Sequence, residues 1–144
     1  MTNPLDNPFW SALASIHREL ALRVGEVARY PADYAPFLGV ASADVAQHGA
    51  FDALVAPGES VYLIGIAPRP QAGWTLQAFR PLAQMVCDAP LPVAEGPDIV
   101  PLGEAQRGDV LALTALVYPH YFRTRTMELG RYLSLIHISE PTRR

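Results

Sequence analysis

The chain has 144 residues, half of them hydrophobic and 17% charged, a composition that supports a packed core and excludes a disordered acidic chain. A net charge of −3, with no basic cluster before the last residues, excludes a nucleic-acid surface, and no apolar run approaches the roughly 18 residues of a transmembrane helix. With one cysteine and no recognisable secretory signal, we expect a cytoplasmic protein that does not insert into membranes.

Two helices and four short strands are predicted in the first 90 residues. Residues 7–24 are predicted to form a helix with one buried face, made of Phe9, Leu13, Ile16, Leu20 and Val24. A second helix is predicted to start at Ser42 or Asp44 and to run through residue 55. Short apolar runs predict strands at 27–30, 61–66, 74–79 and 82–87, and the 61–66 strand is expected to be buried on both faces.

Residues 91–97 are predicted to form a linker because prolines and a glycine crowd this part of the chain. We therefore divide the chain into an N-terminal α/β region at 1–90, the linker, and a second region that starts at residue 98.

The second region, 98–132, is predicted to contain one strand and two helices. Pro101 places the strand at a sheet edge, because proline cannot donate to a central ladder. A helix follows Gly103 and must end before Pro119. We expect its apolar stripe to lie exposed, since the later strands of a covering sheet are missing from the chain; the stripe consists of Val110, Leu113, Leu116 and Val117. An aromatic corner and a second helix, capped by Thr124 or Thr126 and ended by Gly130, complete the region.

Few side chains in the sequence have the spacing of a catalytic or metal site. No metal-ligand spacing occurs, and the glycines at 103 and 108 are followed by Asp109 where a phosphate-binding loop requires lysine. Cys87 is predicted to be an inert core thiol rather than a nucleophile. His17 and His48 are predicted to be surface or boundary residues, whereas His120 lies in the aromatic corner, where packing is favoured over a binding role.

Several segments, taken in order, resemble a bacterial subfamily of the GNAT superfamily of N-acetyltransferases, in which a short α/β region precedes the transferase domain. The segments are Ala28-Arg-Tyr-Pro-Ala-Asp, Ala35-Pro-Phe, Val55-Ala-Pro-Gly-Glu-Ser-Val-Tyr, Gly73-Trp, Gln84-Met-Val and Arg125-Thr-Met-Glu-Leu-Gly-Arg-Tyr. The resemblance spans residues 7–132.

This resemblance implies a mixed α/β (α+β) fold, in which an N-terminal region with a small sheet precedes the first strand and two helices of an acetyltransferase domain. It implies acetyl-CoA as co-substrate and a small-molecule or peptide amine as acceptor. Because family members line the acceptor site near their first two helices, the implied substrate-binding residues are Tyr118, His120, Tyr121, Phe122 and Arg125. The sequence defines neither the catalytic residues nor the oligomeric state.

The family's acetyl-CoA loop, Arg/Gln-x-x-Gly-x-Gly/Ala, is absent from the sequence. Residues 133–143 instead back-translate to a DNA sequence that resembles a transposon-end sequencing adapter, so the tail at 133–144, which includes His137, is interpreted as non-native. We therefore expect a truncated, inactive fragment that binds no acetyl-CoA, with a tail that packs against nothing native. The alternative is a non-enzymatic binding or scaffolding module at 7–90, followed by an interaction helix.

Overall fold

The computed structural model of the protein describes residues 3–45, 49–90, 92, 96 and 98–135. Contacts divide the chain into two units, one made of Met1–Arg69 with Leu102–Tyr132 and the other of Pro70–Pro101 with Leu133–Arg144. Residues 102–132 thus group with the N-terminal region, whereas the sequence predicts a separate region that starts at residue 98. The predicted linker at 91–97 lies largely outside the described residues, so a boundary there stays a prediction.

The first helix, α1, spans Pro8–Ala14 and follows a 3-10 turn at Pro4–Asp6. Pro8 suits the first helical turn because its missing N–H would have no intrahelical partner there. The prediction of a helix over 7–24 is confirmed only in this first part. The backbone leaves the helical region at Ser15, whose hydroxyl donates to the carbonyl of Ser11 at 2.5 Å and so competes with helix continuation.

The last part of the predicted helix is instead a β-hairpin. Strand β1, Leu22–Val24, pairs antiparallel with β2, Val27–Arg29, across a two-residue turn. Gly25 has a φ of 57° at the first turn position, which a type II′ hairpin turn requires and glycine adopts without steric cost. The prediction that Ile16 and Val24 lie on the buried face of a helix is therefore wrong, and the Ile16 side chain is 81% exposed.

A three-stranded antiparallel sheet forms the centre of the first unit. Its order is β1-β2-β3, where β3 spans Leu38–Val40, and both β2 and β3 are fully buried. The prediction of a strand at 27–30 is confirmed. Helix α1 packs directly on this sheet: a Cβ atom at Gly39 would lie 2.4 Å from the backbone nitrogen of Trp10. Glycine at position 39 therefore sets the closeness of helix and sheet.

We expect Gly39→Ala to lower the free energy of unfolding by about 2 kcal/mol, because the added methyl group forces the α1 backbone away from the sheet. Urea unfolding followed by circular dichroism measures the change. The matched control is Gly108→Ala, at an open helical position, where alanine should stabilise by up to about 1 kcal/mol. Equal effects of the two substitutions would contradict the close packing at Gly39.

The second predicted helix is shorter than expected. Helix α2 spans Ala50–Leu54 and follows Gly49, and its Phe51 side chain is buried. Residues 42–45 are not helical, because the carbonyl of Ala43 accepts a hydrogen bond from the backbone N–H of Arg69. His48 and the adjacent residues 46–47 lie outside the described residues.

The predicted strand at 61–66 is wrong. This segment forms a single parallel bridge between Phe37 and Tyr62, and Ile64 is exposed. The extended run cannot continue because Gly65 turns to a φ of 92° and packs against the backbone of Asp6.

The second unit contains none of the strands predicted at 74–79 and 82–87, which lie wholly among the described residues. Pro81, and further prolines on both sides of these runs, interrupt the donor pattern that a ladder needs. Cys87 was expected in a core and is exposed, with its thiol donating to the carbonyl of Ala89 at 3.1 Å.

The strand and helix predicted after residue 98 are confirmed. Strand β4 spans Ile99–Leu102, a 3-10 turn follows at Glu104–Gln106, and helix α3 spans Arg107–Val117. The Gln106 side chain accepts a hydrogen bond from the Gly103 N–H at 2.9 Å, and α3 ends before Pro119. No residue of α3, which the structure describes throughout, is buried. Three of the four stripe residues, Leu113, Leu116 and Val117, lie exposed as expected, whereas Val110 is half-buried.

The second helix predicted in this region is only a 3-10 turn at Thr126–Leu129, followed by Gly130. Strand β5, Tyr132–Leu135, forms a two-stranded sheet with β4. The expectation that the tail packs against nothing was therefore wrong for residues 133–135, while residues 136–144 lie outside the described residues. Among the helices of the described residues, none has the length and apolarity to cross a membrane.

Candidate functional site

The loop that follows α3, residues 118–125, contains all five side chains implied as substrate-binding. Its first turn is closed by a weak hydrogen bond from the Tyr121 N–H to the Tyr118 carbonyl, at 3.4 Å. Tyr118 is 61% exposed, and His120 is also exposed. These two side chains are presented at the surface of the first unit.

Tyr121 belongs to a row of four aromatic rings that are distant from one another in the sequence, and no local sequence signal predicts this row. Its ring centroid lies 4.7 Å from that of Tyr62 and 6.4 Å from that of Phe37, which stacks in turn on Phe9 at 4.3 Å. The row unites α1, the Phe37–Tyr62 bridge and the loop, so aromatic packing fixes the position of Tyr121. His120 meets the Tyr121 ring edge-on at 6.5 Å.

Phe122 points to a different neighbour, because its ring packs edge-on against Tyr132 at 5.7 Å. The structure therefore brings the rings of His120 and Tyr121 together, whereas Phe122 packs against Tyr132, the first residue of β5. All five assignments as substrate-binding residues stay predictions.

Arg125 is surrounded by acidic groups and an aromatic ring. Its guanidinium donates to both carboxylate oxygens of Glu128, at 2.8–3.1 Å, and lies 3.3 Å from Asp33 Oδ2. It also stacks over the ring of Tyr34, with Cζ 4.2 Å from the centroid. The hydrogen bonds to Glu128 raise the pKa of Arg125 above its usual range, and the bonds from Arg125 hold the pKa of Glu128 below its usual range.

Thr126 anchors the end of this loop in the interior. Its hydroxyl donates to the carbonyl of Tyr34 at 2.5 Å and accepts from the Arg123 N–H at 2.7 Å, and the residue is buried. The backbone N–H of Arg125 donates to the Asp33 carbonyl at 3.0 Å beside it. The sequence identified Thr126 only as a possible helix cap, since nothing local signals a partner 92 residues away.

His17 ties the following turn to the same core. Its Nε2 lies 3.0 Å from the Leu129 carbonyl, which can only accept, so Nε2 bears the proton. The Tyr30 hydroxyl then donates to Nδ1 at 2.7 Å, and burial raises the pKa of Tyr30, which keeps the phenol protonated. His17 is half-buried, so its prediction as a boundary residue is confirmed.

An open groove of about 360 Å³ lies between the β1–β2 hairpin and α2. Arg29 and Glu59 form part of its wall, where they make a bidentate ion pair at 2.6 and 2.9 Å. Because each charge neutralises the other, the Arg29–Glu59 pair itself offers a ligand little net charge. Among the described residues there is no group of three or more His, Cys, Asp or Glu side chains that could hold a metal ion.

Comparison with known proteins gives one informative similarity. No protein-family model and no curated protein matches the chain. A crystal structure described as an acetyltransferase of the GNAT family, from Novosphingobium aromaticivorans, matches with a TM-score of 0.69 and 25% sequence identity. The match covers 93% of this chain, which spans 59% of the length of that structure. The mixed α/β class predicted from the sequence is confirmed, and the chain shares the fold of this GNAT-family acetyltransferase.

Proposed function

We propose that this chain is part of a protein that transfers an acetyl group from acetyl-CoA to an amine, that the chain by itself is inactive, and that residues 118–125 form part of the acceptor site. The supporting observation is the likeness to a GNAT-family acetyltransferase over 93% of the chain. Within that fold, the loop presents Tyr118, His120 and Tyr121 on a scaffold fixed by aromatic stacking. A positioned acceptor is the main requirement of such a transfer, because orientation of the two reactants supplies much of the rate enhancement. We propose a small molecule or a peptide as the bearer of the amine.

The residues of this chain do not fit the pyrophosphate of acetyl-CoA. A helix N-terminus binds such an anion when its amides are free and no negative charge competes. Helix α3 is the only helix of at least eight residues in the described part of the chain, and Glu104 and Asp109 lie at its start. The glycine loop of the family is absent from the sequence as well. We propose that neither the start of α3 nor any Arg/Gln-x-x-Gly-x-Gly/Ala segment of this sequence serves as a pyrophosphate site.

This mismatch makes a prediction for the purified chain. Calorimetric titration with acetyl-CoA should show no binding in the micromolar range, because no set of backbone amides is directed at the pyrophosphate. A dissociation constant of about 1 μM, equivalent to about −8 kcal/mol, would contradict the prediction. Coenzyme A without the acetyl group serves as the control for weak nonspecific binding.

Sequencing the native genomic locus across codon 132 tests the proposal itself. We expect the reading frame to continue after Tyr132 into a segment that contains Arg/Gln-x-x-Gly-x-Gly/Ala, in place of the adapter-like residues 133–144. A stop codon soon after Tyr132 would instead favour a non-enzymatic binding or scaffolding module. Recovery of the same codons for residues 133–144 from genomic DNA would refute the adapter interpretation.

A further inference from the structure

Four side chains connect the proposed acceptor loop to the N-terminal region, and we call them the latch: Asp33, Tyr34, Arg125 and Glu128. The Tyr34 hydroxyl donates to Glu128 Oε2 at 3.1 Å, and Glu128 holds Arg125 through both of its carboxylate oxygens. Asp33 completes the set on the other side of the Arg125 guanidinium, at 3.3 Å. The latch joins residues that are 92 to 94 positions apart in the sequence.

We propose that Tyr34 and Glu128 are positioning residues that hold the acceptor loop, residues 118–125, in place through Arg125. This inference rests on the proposed function, because the loop has its role as acceptor site only there. Neither residue needs to touch the amine. Their effect passes through the guanidinium, which is the last side chain of the loop.

Packing around the latch favours a single arrangement. Tyr34 is 6% exposed, and its ring forms the surface on which the Arg125 guanidinium stacks. Next to it, the buried hydroxyl of Thr126 is bonded to the Tyr34 carbonyl, so the backbone of the loop is fixed at the same point. A planar guanidinium held by two carboxylates and an aromatic face has few alternative orientations.

The charges around Glu128 come from three segments of the chain. Arg125 belongs to its own turn, Asp33 and Tyr34 belong to the loop after β2, and Arg107 of α3 lies 3.7 Å from Glu128 Oε1. Arg107 is also paired with Glu104 at 2.6 Å. The two arginines and the Tyr34 hydroxyl favour the ionised carboxylate, which keeps the pKa of Glu128 low.

The latch has a consequence for the acceptor. The positive charge of Arg125 is already balanced by Asp33 and Glu128, so this residue is not available to recognise a carboxylate or phosphate on the substrate. The loop instead offers the acceptor its exposed aromatic and imidazole groups, on Tyr118, His120 and Tyr121.

Hydrogen exchange on the full chain tests the latch. Tyr34→Phe keeps the ring and removes only the hydroxyl, and Glu128→Gln removes the charge. Each should speed exchange of the Arg123, Arg125 and Thr126 amides by about threefold, the scale expected for one interaction in a solvent-exposed charged cluster. Exchange in β2 and β3 should stay unchanged, which shows that the fold is intact. Asp44→Asn is the matched control, because it removes the charge of a carboxylate that is paired with an arginine, Arg69, and has no contact with the latch.

A pH titration separates positioning from simple packing. The NMR chemical shifts of the Arg123 and Arg125 amides should change as Glu128 becomes protonated. This change should occur at a pH below the ordinary pKa of a glutamate. In Tyr34→Phe the midpoint should move to higher pH, because the lost hydroxyl bond had favoured the carboxylate. An unmoved midpoint, or unchanged exchange in both variants, would overturn the inference. Neither measurement uses acetyl-CoA or an amine, so a failure of acetyl transfer would count against the proposed function alone.

Discussion

Replacing Glu59 by alanine should lower the free energy of unfolding by about 3 kcal/mol, because it leaves a buried positive charge without its partner. The Arg29 side chain is 3% exposed, and its guanidinium donates to both oxygens of Glu59 and to the Leu54 carbonyl at 2.7 Å. Glu59 also accepts from the Ala56 N–H at 3.0 Å, so the ion pair connects β2 to the turn after α2. Urea unfolding measures the loss.

Asp44→Asn provides the control for this prediction. Asp44 pairs with Arg69 at 2.8 Å, but both side chains are more than 70% exposed. A solvated pair of this kind contributes less than about 1 kcal/mol, so the variant should unfold almost like the parent protein. If Glu59→Ala and Asp44→Asn had equal effects, the Arg29–Glu59 pair would not act as a buried ion pair.

The same ion pair should make stability depend on pH at the acid end. The hydrogen bonds from Arg29 hold the pKa of Glu59 below its usual range, so the folded state favours the ionised carboxylate more than the unfolded state does. This contribution is complete above the ordinary glutamate pKa and is lost as the pH falls through the lower, folded pKa. Glu59→Gln should therefore show a shallower loss of stability below about pH 4.5 than the parent protein.

Leu13→Ala is the second substitution with a large expected effect, a loss of about 3 kcal/mol in the free energy of unfolding. Leu13 is 0% exposed and lies in the core cluster with Ala28, Tyr30, Tyr34 and Ala35. The substitution removes three carbon atoms from a site that the surrounding β-sheet cannot collapse to fill. Urea unfolding of the variant and the parent protein measures this loss of stability. The control is Leu116→Ala, on the exposed face of α3.

Comparing the stability losses of Leu13→Ala and Leu116→Ala also tests whether the apolar face of α3 is exposed in solution. Leu116 is 82% exposed, so its truncation should change stability by no more than about 0.5 kcal/mol. A loss at Leu116 as large as that at Leu13 would mean that the α3 face is covered in solution.

Local signals in the sequence predicted some elements well. Pro101, Gly103 and Pro119 act on their own backbone and immediate neighbours, and they marked the edge strand and both ends of the helical segment correctly. Gly25 directly follows the helix predicted at 7–24. Its role as a hairpin turn was missed, because the apolar spacing before it fits a helix and a strand equally well over so few residues.

Elements that depend on distant partners could not be predicted. The run at 61–66 has a strand-like composition, but a strand needs a paired neighbour along its whole length. Within this run, only Tyr62 forms a bridge, to Phe37. The loop at 118–125 was located through family resemblance, but its support by Tyr34 and Thr126 depends on contacts between residues 92 positions apart. No periodicity or motif reports such a contact, so the latch emerges only from the three-dimensional structure.

An acetylation assay tests the proposed transferase activity. The protein encoded by the genomic reading frame that contains this sequence should be incubated with labelled acetyl-CoA and a panel of small and peptide amines. We predict acetylation of an amine, with a weaker rate in Tyr121→Leu than in Tyr121→Phe, because the phenylalanine ring preserves the stacking with Phe37 and Tyr62. Absence of transfer to every amine, in a protein that also fails to bind acetyl-CoA, would contradict the account.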